Sequence, residues 1–571
     1  MKLHRIMIVL VLCCLPLQMA WADDELVGYS HDELLALGEK MYREGILPSG
    51  EPMKALVMGD IPFDGRLFTC DDCHQRSGLG SEEGTIISWP TNGKELYIPR
   101  RRTGAFKLPE TEEEKNNPRK QLPKYYQMED VRPAYTDKSL ARALRVGKDP
   151  ANRWLDPIMP KYRLKQKNMA ILIYYLKHLS GDLDPGVDGN TLHFATVISD
   201  EVPESRRNAM LDVLKAHIDA HNIGSRNEGR RKTSGPFYKT EKHRSYRKLK
   251  LHIWELKGHE SSWRKQLDAY YEKQPVFALL GGITTGKWDK IHDFSEDNKV
   301  PCIFPITDLP KISSTDWYTL YFSRGKFQEG EAAAKYLHSQ LEDDTKTRIV
   351  QIYRRDNRRS AALARGFSET WEKKAPESPV QLVLEDGQSI INAKLDDIFD
   401  GSKTVVLMVW LDNSEKEAFK GLNRYINKAD RVIASSTLLN NDFSSLGDEI
   451  RGKLLLTYPS TLPDQNKASR FAVARWLEAR KIPITQFDIQ AKMYFIGWML
   501  PGTIKQLRSE FYRDYFLEGY DMMTDQDYAI AVYPRLTFGS GQRYASKGCY
   551  MVKISTGPNP EVIPLTDWVI F

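Results

Sequence analysis

Beyond about residue 190 the apolar positions fall into one repeating pattern. A short apolar run comes first, then a longer stretch with apolar residues three and four apart. "LHFATVI" (192–198) precedes the amphipathic "PESRRNAMLDVLKAHIDAH". The pairing recurs as "LKLHIWEL" with "SSWRKQLDAYYEKQ", "PVFALLGG" with "WDKIHDFSEDN", "TRIVQIY" with "SAALARGFSETWEK", and "KTVVLMVWL" with "SEKEAFKGLNRYI". Short apolar runs predict strands covered on both faces, and the 3.6-residue spacing predicts the helices that cover them. Strand and helix in alternation predict an α/β fold with parallel sheets. About 380 residues of this pattern is large for one sheet, so two lobes are expected.

The preceding zone reads differently. It is rich in loops and helical only near its ends. "SHDELLALGEKMYREG" (30–45) has Ser30 placed to cap, with Leu34, Leu35, Leu37 and Met41 along one face. "NMAILIYYLKHLS" (168–180) is apolar on several sides and is expected to be packed all round. "GDLDPGVDGN" (181–190) is a turn-rich hinge between the zones. The organisation expected is a leader at 1–22, a mainly α domain at 23–187 and an α/β domain at 188–571.

The leader is read from its own pattern. Lys2 and Arg5 precede the apolar run at 6–17, and Ala20-Trp21-Ala22 forms a small-residue cleavage site before Asp23. The run is too short for a stable bilayer anchor, so export to the periplasm with no stable membrane anchor is expected. The mean hydropathy of −0.50 agrees with a chain that is mostly soluble. The formal net charge is +6, and cleavage removes two of those charges. That balance is too small to imply nucleic acid. A basic interruption at 226–250 is either a solvated loop or a docking patch for an acidic partner protein.

Six cysteines are present, and Cys13 and Cys14 leave with the leader. In an exported protein Cys302 and Cys549 could form a bridge or stay as two buried thiols. The remaining pair stands in "FTCDDCHQRSG" (68–78). A structural zinc would want a second ligand pair at similar spacing, and no other CxxC is present. A redox dithiol would want a strand and a helix around it. C-x-x-C-H is the attachment pattern of haem c, with Cys70 and Cys73 adding to the vinyl groups and His74 placed to ligate iron. One such motif predicts one covalently bound haem. For the sixth ligand, "RWLDPIMPKYRL" (153–164) offers Met159 between Pro157 and Pro160, in a loop the prolines stiffen. Met58, Met128 and Met169 compete.

With these residues in place, 23–181 resembles a class I cytochrome c domain. "GEKMYREG", "CDDCH", "YTDKSLARALRVGKDP", "LDPIMPKY" and "ILIYYLKHLS" carry the resemblance. It implies first and last helices that cross beside the haem, and His74 and Met159 as axial ligands. The long charged stretch at 80–126 departs from that family. From about 190 the chain resembles the type I periplasmic binding proteins, in the branch of the branched-chain amino-acid receptors. "FALLGGITTGKWDKIHDFSEDNKVPCIFPITDLP", "FSRGKFQEGEAAAKYL" and "YPRLTFGSGQRYASKGCYMVKIS" carry that resemblance with the first strand and helix. It implies two lobes that close on a solute.

In "GGITTGKW", Gly282 allows close approach, and Thr284 and Thr285 can donate to a carboxylate. Arg324 lies near the expected cleft, and Arg354, Arg355, Arg358 and Arg359 stand where an acidic residue would be expected. Such a lining suits an anionic or neutral solute better than a zwitterion, while the resemblance itself implies an amino-acid-like small solute. The leading expectation is an exported electron carrier that meets a periplasmic redox partner, with the α/β domain recognising a solute or a partner. The alternative is a periplasmic solute receptor for an ABC-type transporter with a regulatory haem. A haem enzyme is a third reading, although no nucleophile–base pair stands out.

Overall fold

The computed structural model describes residues 26–58, 61–83, 86–101, 131–225, 246–341, 347–375, 377–385, 395–399, 403–415, 421–443, 446–523, 528, 530–539 and 541–570. The leader, Met128, most of the basic stretch and part of the 80–126 departure lie outside these residues. The chain divides into two units, Met1–Leu183 and Asp184–Phe571. No helix among the described residues is long and apolar enough to cross a membrane.

The first unit is built around two helices. α1 (His31–Glu44) opens with a reciprocal cap: the Glu33 N–H donates to Ser30 Oγ at 3.2 Å, and the Ser30 N–H donates to the Glu33 carboxylate at 2.8 Å. The later elements are α2 (Cys70–His74), α3 (Asp137–Val146) and α4 (Gln166–His178). α1 crosses α4 at Gly38, where an added Cβ would collide with the root of the Tyr175 side chain. Glycine is therefore what lets these helices approach. A small antiparallel sheet, β1 (Lys54–Val57), β2 (Ile61–Asp64) and β3 (Lys161–Tyr162), ties the Met159 loop to the CxxCH side of the core.

The second unit holds two sheets. The first runs β8-β7-β6-β4-β5, all parallel, from β4 (Thr191–Ser199), β5 (Lys248–Leu256), β6 (Ala278–Leu280), β7 (Cys302–Ile303) and β8 (Thr319–Leu320). Helices α5 (Glu204–Gly224), α6 (Trp263–Lys273) and α7 (Asp289–Asp297) alternate with these strands. The second sheet begins with five parallel strands, β10-β9-β11-β12-β13. They are β9 (Thr347–Arg354), β10 (Val380–Leu384), β11 (Thr404–Trp410), β12 (Arg431–Ser435) and β13 (Leu454–Tyr458). β14 (Gly548–Ile554) extends it antiparallel.

The unit is thus an α/β fold of two lobes, as the alternation predicts. β6 is shorter than the apolar run because Gly281 (φ 59°) and Gly282 (φ 103°) leave the extended conformation. The helix expected at 414–426 is described only at its end, Asn423–Lys428. After β13 the chain returns to the first lobe, where α10 (Lys467–Ala479), α11 (Phe487–Leu507) and α12 (Arg513–Asp521) complete its core. Cys302 lies on β7 and Cys549 on β14, both buried and both free thiols in different sheets.

In the second lobe, α8 (Gly325–Gln340) and α9 (Arg358–Trp371) pack backbone to backbone. A Cβ on Gly366 would run into the Phe327 carbonyl, and one on Gly330 into that of Leu363. Gly366→Ala is expected to destabilise the lobe by about 1–3 kcal/mol, the usual cost of overpacking. Gly502→Ala, on an exposed helical site with open space around it, is expected to stabilise by up to about 1 kcal/mol through helix propensity. Denaturant titration of the two variants checks that the signs differ.

Candidate functional site

The CxxCH motif folds as one helical turn. Thr69 caps α2, and its N–H donates to Asp72 at 2.7 Å. Cys70 and Cys73 are three apart and so share one face. Burial pushes the Cys70 thiol up to about 12, partly offset by a contact of 3.8 Å to the Tyr162 hydroxyl. Among the described residues no group of three or more His, Cys, Asp and Glu is placed to hold a metal ion. Among the described residues the strand pairs of this unit are antiparallel, so they give the motif no βαβ setting of the kind a redox dithiol uses.

The residues fit a haem c on two counts. His74 Nδ1 lies 2.7 Å from the Trp89 carbonyl oxygen, which fixes the ring and leaves Nε2 as the ligating nitrogen. Burial lowers the His74 pKa, with the Trp89 carbonyl working the other way, so the imidazole is held in its neutral, ligating form. Met159 packs against the apolar cluster that contains Cys70, and its loop is tied to β1 by the Met58 N–H donating to the Pro157 carbonyl at 3.1 Å.

The second site is built by loops at the carboxyl ends of strands, where open α/β sheets hold their ligands. After β6, Gly281 and Gly282 turn the chain. A Cβ at Gly282 would strike Trp288 and crowd the Val197 carbonyl. The Thr285 N–H donates to Ser199 Oγ at 3.2 Å, and its hydroxyl donates to Glu201 at 3.0 Å. The Thr284 hydroxyl donates to the Gly286 carbonyl at 3.2 Å. Gly282, Thr284 and Thr285 are thus brought together with the end of β4. Arg324 stands just before α8, and its guanidinium donates to both carboxylate oxygens of Glu331 at 2.7 and 2.9 Å and stacks on Phe327. Arg354 pairs with Glu415 and Arg355 with Glu385, both within the second lobe.

Two further arginines leave their lobe. Arg358 Nη1 meets Glu260, in the loop after β5, at 2.9 Å. Arg359 Nε meets Asp308, in the loop after β7, at 3.2 Å. Asp308 was not singled out in the sequence, and it stands in a first-lobe loop, not in the second lobe where an acidic residue is expected. It lies inside a quoted segment, but its role depends on which loops converge. Its side chain is half exposed; partial desolvation works to raise its pKa, yet Lys326, Arg359, Lys492 and Arg206 together hold it below the usual value. The Lys492 ammonium lies 5.6 Å from the Phe322 ring and 5.3 Å from that of Tyr533.

No protein-family model matches the chain, and no curated protein matches it. Among solved structures, an ABC transporter substrate-binding protein from Sphaerobacter thermophilus is 12% identical with a TM-score of 0.48, covering 67% of this chain and 98% of its own. A leucine-binding protein from Thermotoga maritima is 13% identical at 0.44, covering 66% and 99%. A type 1 periplasmic binding protein from Bordetella pertussis is 11% identical at 0.43, covering 66% and 100%. The expectation of an electron carrier is corrected here. The solved structures that this chain is similar to are substrate-binding proteins, not electron carriers.

Proposed function

We propose that the chain is an exported, periplasmic solute receptor, not an enzyme, whose first unit resembles cytochrome c and carries one covalent haem c. Cys70 and Cys73 would hold the group, with His74 and Met159 as its axial ligands. Bound there, it would supply a redox-active iron with both axial positions filled. The receptor reading is carried by one observation: carboxyl-end loops of both sheets meet, after β5 and β7 in the first lobe and after β9 in the second. Lys326 is paired with Glu329 and Arg359 with Asp308. Lys492 and Arg206, which also act on Asp308, suit a small solute bearing a carboxylate, an organic anion or an amino acid, for an ABC-type transporter.

The test is a thermal-shift and calorimetry panel of amino acids and small carboxylates on the mature full chain. One solute class should raise the melting temperature. Lys492→Met should weaken its binding by about tenfold or more, the usual worth of a charge-assisted hydrogen bond. A panel without any binder, and a native mass spectrum without a labile companion, would overturn the receptor reading.

A further inference from the structure

We propose that Glu260–Arg358 and Asp308–Arg359 form a latch that closes the two lobes with the chain's own charges. Both arginines stand at the start of α9, in the second lobe, and both acids stand in first-lobe loops. The Glu260 end is held in place before its pair forms: Glu260 Oε1 accepts the Lys287 N–H at 3.0 Å, so its carboxylate is pinned over the loop after β6. The Asp308 loop already touches the second lobe, because the Asp308 carbonyl accepts the Lys326 N–H of α8 at 3.0 Å. Asn357 Oδ1 accepts the N–H groups of Arg359 and Ser360 at 3.1 and 3.2 Å, so the backbone that projects the arginines is fixed too.

The pairs differ in kind from the other arginine pairs nearby. Arg354–Glu415 and Arg355–Glu385 join parts of one lobe and cannot bias closure. Arg358 and Arg359 are each 51% exposed, against 24% for Glu260 and 48% for Asp308. Exposed pairs of this kind are individually weak and screened by salt. Two of them acting across one hinge shift the balance between open and closed lobes by up to about tenfold together. That size suits a latch, because it holds the closed form without making it permanent. The latch stands on the two-lobed fold alone and needs no solute.

The experiment is single-molecule energy transfer in the full chain, with dyes on non-natural residues at Lys265 in α6 and Glu369 in α9, both exposed. In low salt the solute-free protein should populate the closed distance. Raising salt to about 1 M, where the screening length falls to about 3 Å, should reduce that population several-fold. The double variant Arg358→Gln with Arg359→Gln should lose the population and its salt dependence, while Arg355→Gln keeps both. Glu260→Arg alone should lower the closed population, and adding Arg358→Glu to it should restore closure. A closed fraction that ignores salt, or that survives the double variant unchanged, overturns the latch.

Discussion

Arg513→Met should unfold the second unit more readily than any surface change. The Arg513 side chain is 4% exposed and donates to six acceptors. They are the carbonyls of Phe277, Asn298, Lys299, Pro185 and Val276, and the Tyr271 hydroxyl. Its own N–H donates to Asp184 at 2.6 Å. Asp184, at the start of the unit, is pushed up by burial and held back by Arg513. One guanidinium therefore ties the entry segment, the edge of β6 and the turn after α7 together. Methionine fills much of the volume but leaves carbonyls without donors and Asp184 without its cation. Removing one member of a buried charged group costs about 3–5 kcal/mol, a large part of a domain's stability. Arg513→Lys should fare little better, because a point charge cannot reach a fan of carbonyls. Urea unfolding measures both. A loss below about 1 kcal/mol for the methionine variant would mean that water replaces the guanidinium.

The arginine also shows where sequence reading stops. The strands and helices of the second unit are legible because each is a local pattern. β4, β5, β9 and β11 fall on the apolar runs that predict them. The CxxCH turn is legible for the same reason, since five adjacent residues carry its chemistry. The partners of Arg513 are mostly backbone carbonyls, and a carbonyl leaves no mark in the sequence. The latch is hidden differently. Glu260, Asp308, Arg358 and Arg359 are ordinary surface residues until two sheets bring their loops face to face. Arg324 reverses the case. Its partner Glu331 lies seven residues on, in the helix that begins at the next residue, so this is a local pairing that sequence spacing could have suggested.

The prediction with an all-or-none outcome concerns the first unit. Mature protein from a host with the haem c maturation system should carry the added mass of one haem through denaturation. Cys70→Ala with Cys73→Ala should abolish that mass, while Cys302→Ser and Cys549→Ser retain it, since those thiols are buried in the other unit. Met159→Ala should keep the covalent mass and move the absorption spectrum toward a high-spin form, because the proposed role of the thioether is axial ligation and not attachment. Losing the haem should also loosen the core, for Cys70 belongs to the cluster of Met41, Tyr42, Leu172 and Leu176. Circular dichroism of the double variant separates failure to attach from failure to fold. A folded double variant without haem would confirm attachment at these two thiols. Haem mass that persists without them would reject that assignment, and parent protein without haem would return the motif to a metal or dithiol role.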